Sequence, residues 1–185
     1  MKAAVTTAAA HMEIQDVPDP HAGPGEALLR IEVAGICGSD LHFYDGHNPY
    51  AKYPTIQGHE FSAIVAGFGP GYSGAVRVGD RVTVEPLLSC GTCYPCRQAR
   101  PNCCTSLRVL GIHTTGAFAE YLTVPVTHLF PVGSLDAELT ALIEPLSIGM
   151  QMITRGQVGP GDTVAIFGAG PIGQAAMIAS IDRGA

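Results

Sequence analysis

Along residues 26–36, "EALLRIEVAGI", Leu29, Ile31 and Val33 alternate with Arg30, Glu32 and Ala34. A period of two sends one row of side chains to one face, so this run predicts a half-buried strand. "FSAIVAGFG" from Phe61, "GDRVTVEP" from Gly79 and "GAFAEYLTVP" at 116–125 are further short β-rich runs bounded by glycine or proline. The opening "MKAAVTTAAAHMEI" has no sustained apolar stretch of the signal-peptide kind and reads as a first strand. The segment 41–57, polar and aromatic with His42, Tyr44, His47, Asn48 and two prolines, predicts a loop. The first two-thirds of the chain is therefore expected to be a β-barrel or sandwich carrying functional loops. After Ser134 the period changes: Leu139, Ile143, Leu146, Met150 and Ile153 recur at three- and four-residue steps, which is helical. Pro145 interrupts that stripe. It disfavours the α region for Glu144 and suits the first turn of a new helix, so Glu144 is expected at a break.

Composition narrows the function classes. The 185 residues carry a net charge of −6, with Lys2 and Lys52 as the only lysines and the arginines scattered. A nucleic-acid surface needs clustered positive charge and is excluded. With 23 glycines, 14 prolines and 14% charged residues, the chain fits a turn-rich β architecture better than a helical bundle. Residues 163–181 carry no charge and by length alone could span a membrane. Gly168, Gly170, Pro171 and Gly173 interrupt them, so a strand, a turn and a helix are expected there, and no membrane partner.

The cysteines change the picture most. Five of the six lie between Cys90 and Cys104, inside "SCGTCYPCRQARPNCC" at 89–104, and four of them form C-x2-C-x2-C-x7-C: Cys90, Cys93, Cys96 and Cys104. Two readings compete, a disulfide knot and a metal cage. Five cysteines cannot all pair, and an acidic chain of cytoplasmic character keeps its thiols reduced. Tetrahedral zinc, by contrast, needs four soft donors, which short spacers can wrap around one ion. Cys103 is left as a neighbour outside the set. An all-thiolate site has no open position, so this zinc is expected to be structural.

The sixth cysteine, Cys37, lies in "GICGSDLH"; "GHE" follows with His59 and Glu60, and "EP" with Glu144. Sulfur, imidazole and carboxylate are the mixture expected where zinc keeps one position for water or substrate. The ordered set "GICGSDLH", "GHEF", "VGDRV", the four-cysteine loop, "GAFAEY", "EPLSIG" and "GAGPIG" resembles the zinc-dependent medium-chain dehydrogenase family over essentially the whole chain. "YDGHNPYAKYP" and "EPLSIG" resemble its sorbitol, idonate and galactonate 5-dehydrogenase branch.

That resemblance implies Cys37 and His59 as ligands of a catalytic zinc, completed by Glu60, Glu144 or both. It implies Asp40 as the carboxylate that orients the ligand histidine, and Ser39 and His42 as a proton relay. Two departures bear on the substrate rather than on the redox chemistry: a shorter interval between Cys37 and His59 than in sorbitol dehydrogenase, and Phe43 where that enzyme has tyrosine.

"GDTVAIFGAGPIG" contains G-x-G-x-x-G at Gly168, Gly170 and Gly173. It follows a β-rich run, 163–167, and opens a helix near Pro171 and Ile172, the arrangement that aims backbone N–H groups at a pyrophosphate. The acidic residue that would grip the ribose is expected about twenty residues further on, past Ala185, so either NAD or NADP fits. The expected fold is mixed β and α/β: a GroES-like β-barrel catalytic domain over 1–145, then the start of a Rossmann domain over 146–185, read as the N-terminal part of a longer enzyme.

The expected function is a cytoplasmic, zinc-dependent oxidoreductase of a polyol or sugar-acid alcohol, with two zinc ions and NAD or NADP. Full-length, it is expected to be a homodimer or homotetramer. The competing class is a non-catalytic zinc-stabilised remnant or regulator, which would gain nothing from Cys37, Ser39 and His42.

Overall fold

Alternating inward side chains organise the first part of the molecule. A computed structural model describes residues 1–185, and the chain divides into two compact units, Met1–Ala141 and Leu142–Ala185. In chain order the elements are β1 (Lys2–Ala8), β2 (His11–Asp16), β3 (Glu26–Ala34), α1 (Gly38–Tyr44), β4 (Thr55–Ile56), β5 (Phe61–Phe68), β6 (Arg81–Val84) and β7 (Leu87–Leu88). They continue with α2 (Tyr94–Arg97), β8 (Arg108–Val109), β9 (Tyr121–Pro125), β10 (Leu129–Pro131), α3 (Ala137–Ala141), α4 (Ile143–Arg155) and α5 (Pro171–Asp182).

In the first unit, β10-β6-β5-β3-β9 form a five-stranded antiparallel sheet. Its register lines up Leu122, Leu29 and Val65 across three strands, and Ala63 with Val82 beside them. Leu29, Val65, Ala63 and Val82 are fully buried and form the centre of the core. The alternation expected for β3 holds at Leu29; register shifts at Leu28/Leu29 and Ile31/Val33 then leave Ile31 and Val33 half-buried. Such bulges bend a strand and re-aim its side chains, and the site described below begins just past this one.

A second sheet, β2-β1-β4, brings β4 against β1, with Thr6 opposite Thr55 and Val5 opposite Ile56. β2 and β4 carry no clear apolar alternation, β2 because it is an exposed edge. The third sheet is the pair β7-β8, a narrow neck from which the cysteine loop projects.

The expected loop at 41–57 is instead ordered at both ends, by α1 and by β4. α1 forms because Asp40 Oδ2 accepts the Cys37 N–H at 2.9 Å, which ties the first turn, and because Phe43 is fully buried. Phe43 meets Tyr53 edge-on at 5.4 Å, and the Tyr53 hydroxyl donates to the Phe43 carbonyl at 2.7 Å. Seven residues are too few for a helical period to show in the sequence.

α3 packs against β3 and β5 of the first unit. The second unit contains α4 and α5. The break between helices falls at Leu142, so Glu144 lies within the first turn of α4, with Pro145 third in the helix. The first-turn N–H groups have no helical partner in any case, so proline there costs no bond. Gly149 lets α4 approach α5 closely: a Cβ there would overlap the Ala175 backbone. Residues 163–167, expected as a strand, form no ladder, because no other stretch of the unit pairs with them, and Phe167 is 97% exposed. No helix is long and apolar enough to cross a membrane.

Candidate functional site

The cysteine loop is built to gather sulfur. α2 carries Cys96 with Pro95 in its first turn, a 3-10 turn at Pro101–Cys103 delivers Cys104, and Gly91 adopts φ 71° between the first two cysteines. The Cys90, Cys93, Cys96 and Cys104 sulfurs all lie within 4.8 Å of one another. Cys93 and Cys96 are 3.4 Å apart, Cys90 and Cys96 4.0 Å. Zinc–sulfur bonds of about 2.3 Å at tetrahedral angles put sulfurs about 3.8 Å apart, so the set fits zinc. Cys103 is exposed and stands outside it.

Backbone N–H groups prepare these sulfurs for negative charge. The Cys93 N–H donates to Cys90 Sγ at 3.4 Å, and the Cys90 and Ser106 N–H groups donate to Cys104 Sγ at 3.3 Å each. The Thr92 and Cys93 N–H groups hold the Cys90 thiol down at about 5. Cys96, withdrawn from water and beside Cys93, is pushed up to about 12. The Cys93 thiol is also lowered, by backbone N–H groups of the loop, so Cys90 and Cys93 are ready to ionise while Cys96 resists a further negative charge, a conflict that a bound cation resolves.

A second cluster forms where two strand ends meet. Cys37 follows β3 and precedes α1; His59 and Glu60 lie between β4 and β5. Their ligand atoms, one from each residue, lie within 4.8 Å of one another. Two glycines make room for them. Gly35 has no side chain to obstruct the Glu60 carboxylate, since a Cβ there would sit 2.8 Å from Glu60 Oε2. Gly58 adopts φ 98°, and a Cβ on it would stand 2.6 Å from the Phe118 ring. The donor set of sulfur, imidazole and carboxylate fits a zinc ion with an open position.

Around the buried His59, Asp40 Oδ1 faces Nδ1 at 3.8 Å, and Ser39 Oγ stands 3.4 Å from Nε2. Asp40 is itself held on all sides. Besides the Cys37 N–H on Oδ2, Oδ1 accepts from the Gly58 N–H at 3.3 Å and from Gln57 Nε2 at 3.4 Å. Asp40 thus ties the first turn of α1 through Oδ2 and turns Oδ1 toward His59. His42 is exposed on the last turn of α1. Glu144 belongs to the second unit, where its backbone carbonyl accepts from Ser147 Oγ at 2.6 Å. Thr6 and Gln57, both fully buried, gave no signal in the sequence; the Thr6 hydroxyl donates to Gln57 Oε1 at 2.6 Å.

In the second unit Gly168 takes φ 104°, Gly170 caps α5, and Pro171 and Ile172 fill its first two positions. Gly173 is required sterically, because a Cβ there would overlap the Gly168 carbonyl oxygen. Gln174 Nε2 donates to the Ala169 carbonyl at 2.8 Å and braces the turn. A helix start with small residues and free N–H groups is suited to an anionic phosphate.

Residues 23–134 match the family described as Alcohol dehydrogenase GroES-like domain. Among curated proteins, the chain is 47% identical over 160 residues to the starvation-sensing protein RspB of Escherichia coli K12, covering 86% of this chain and 46% of that protein. It is 40% identical over 169 residues to L-galactonate-5-dehydrogenase of the same strain, covering 91% and 49%. The chain thus spans about half the length of the curated relatives it matches. A crystal structure of RspB from E. coli CFT073, solved with NADH, superposes with a TM-score of 0.88 at 41% identity, covering 95% of this chain and 51% of that one.

Proposed function

Because the chain belongs to the alcohol dehydrogenase family with a GroES-like domain, we propose that it forms the zinc-holding part of a nicotinamide-linked oxidoreductase acting on the secondary alcohol of a polyol or sugar acid. One observation carries this reading: Cys37, His59 and Glu60 converge within 4.8 Å, separately from the four-sulfur set. A purely structural protein needs the cage and has no use for a second, mixed site.

Zinc bound at the mixed site supplies the Lewis acidity that makes a nearby alcohol a stronger acid. Cys37 and His59 would hold it, and Glu60, which converges with them, would supply the carboxylate. Asp40 keeps Nδ1 of His59 turned toward itself and leaves Nε2 for the metal. Ser39, beside Nε2, would accept the proton of the substrate hydroxyl while its own hydroxyl proton moves on toward His42. His42, one helical turn along α1 and exposed, passes it to water. Cys90, Cys93, Cys96 and Cys104 hold the structural zinc. Gly168, Gly170, Pro171, Ile172 and Gly173 would hold the pyrophosphate of NAD or NADP at the start of α5, a cofactor that would supply the hydride acceptor. The 40% identity to L-galactonate-5-dehydrogenase favours a sugar acid among the polyhydroxylated substrates.

The test is a screen of polyols and aldonates with NAD and with NADP on the full-length protein, following nicotinamide absorbance, together with metal analysis. Zinc near two per chain and turnover of at least one polyhydroxylated substrate are expected. A stoichiometry of one zinc overturns the catalytic half of the proposal.

A further inference from the structure

A buried glutamine and threonine reach the mixed site from a different sheet. Thr6 on β1 and Gln57, just past β4, are 0% and 1% exposed, and Asp40 is 4% exposed. Their hydrogen bonds form a directed chain. Gln57 Nε2 donates to the Asp40 backbone carbonyl at 2.9 Å and approaches Asp40 Oδ1 at 3.4 Å; Gln57 Oε1 accepts from the Thr6 hydroxyl at 2.6 Å. Chemistry fixes the amide's orientation: a carbonyl and a carboxylate can only accept, so the NH2 end must face Asp40 and the oxygen must face Thr6. Thr6 is in turn set by the β1-β4 pairing, in which it stands opposite Thr55.

From this geometry we infer that Gln57 and Thr6 are positioning residues of the Cys37–His59–Glu60 site, fixing the Asp40 carboxylate against His59 Nδ1. The inference rests on the proposed reading of that cluster as a zinc site. The argument is one of freedom removed. At 3.8 Å, Asp40 Oδ1 faces His59 Nδ1 beyond hydrogen-bond length, so the carboxylate must be held from elsewhere. Its own helix supplies one tether, the Cys37 N–H on Oδ2, and the Gly58 N–H supplies another. Gln57 clamps both the backbone and the side chain of Asp40 at once. Removing its amide would take one donor each from the Asp40 carbonyl and Oδ1, deprive the Thr6 hydroxyl of its acceptor, and let the carboxylate turn. Groups that orient a ligand histidine are commonly worth about 10- to 100-fold in metal affinity.

The experiment is zinc release from the zinc-loaded full-length protein to a chromophoric chelator, which separates a slow cage ion from a mixed-site ion, with thermal melting as a check on folding. Gln57→Met should weaken binding of the mixed-site zinc about tenfold, and Thr6→Val a few-fold, with the cage ion unchanged. Thr6→Ser, which keeps the hydroxyl, should restore wild-type release. Should Gln57→Met fail to fold, Thr6→Val, nearly unchanged in volume, decides the matter against Thr6→Ser. Release from both sites within twofold of wild type, in folded Gln57→Met and Thr6→Val, overturns the inference. Failure of the underlying reading looks different: the wild type and Cys37→Ala would then release the same single zinc ion, that of the cage.

Discussion

Ser39 Oγ stands 3.4 Å from His59 Nε2, while Asp40 faces the other ring nitrogen, Nδ1, at 3.8 Å. The imidazole therefore has a supported side and a working side, and the serine is on the working side. Ser39→Ala is expected to lower kcat about 100-fold, the lower end of what a positioned proton acceptor contributes. Zinc content should stay the same. Steady-state kinetics of the full-length protein alongside metal analysis checks both halves.

The two sulfur sites should fail in different ways. Cys37→Ala is expected to remove one zinc and abolish turnover while leaving the melting temperature within a few degrees. Cys93→Ala should remove the other zinc and damage folding. Binding energy on the order of 10 kcal/mol couples a structural zinc to the loop it holds, and this loop buries only Cys104 among its cysteines. Circular dichroism melts and soluble yield distinguish the two variants.

Gly58→Ala is expected to destabilise the protein by about 2 kcal/mol or more, measured by urea unfolding. The residue adopts φ 98°, where a side chain is strained, and its Cβ would press on the Phe118 ring at 2.6 Å. Gly25→Ala also sits at positive φ, but nothing lies near its Cβ. It should cost only the backbone term, about 1 kcal/mol.

Gly173→Ala should weaken nicotinamide dinucleotide binding about tenfold, or about 1.4 kcal/mol, since the added methyl overlaps the Gly168 carbonyl oxygen and must open the turn. Titration by cofactor fluorescence measures it, and both zinc ions should remain bound.

What the sequence disclosed follows from the range over which each feature acts. β3 and β9 alternate buried with less buried residues, while β5 and β6 bury consecutive residues and were readable as apolar runs bounded by glycine and proline. The cysteine cage was readable because its four ligands are near neighbours along the chain. α1 was not, being short and held by the cap from Asp40 and by buried Phe43. Glu144 was displaced from its expected break because α4 starts at Ile143 and accommodates Pro145 in its first turn. Thr6 was invisible for a different reason: its partner lies 51 residues away, and one of two adjacent threonines in an alanine-rich strand makes no pattern. Residues 163–167 carry strand composition, but a ladder needs a second strand, and none pairs with them.

Gly111 and Gly116 both abut the Gln57–Gly58 backbone, and Phe118 covers Gly58 from its own direction. The turn that carries His59 is therefore clamped between other stretches of main chain with no clearance for even a methyl group. For anyone redirecting this scaffold to a new substrate, mutagenesis libraries spread over 57–60, 111 and 116–118 would be filled with misfolded clones. Diversity belongs on the exposed rim near α1, at Leu41, His47 and Tyr50, where side chains can be exchanged without moving the frame beneath them.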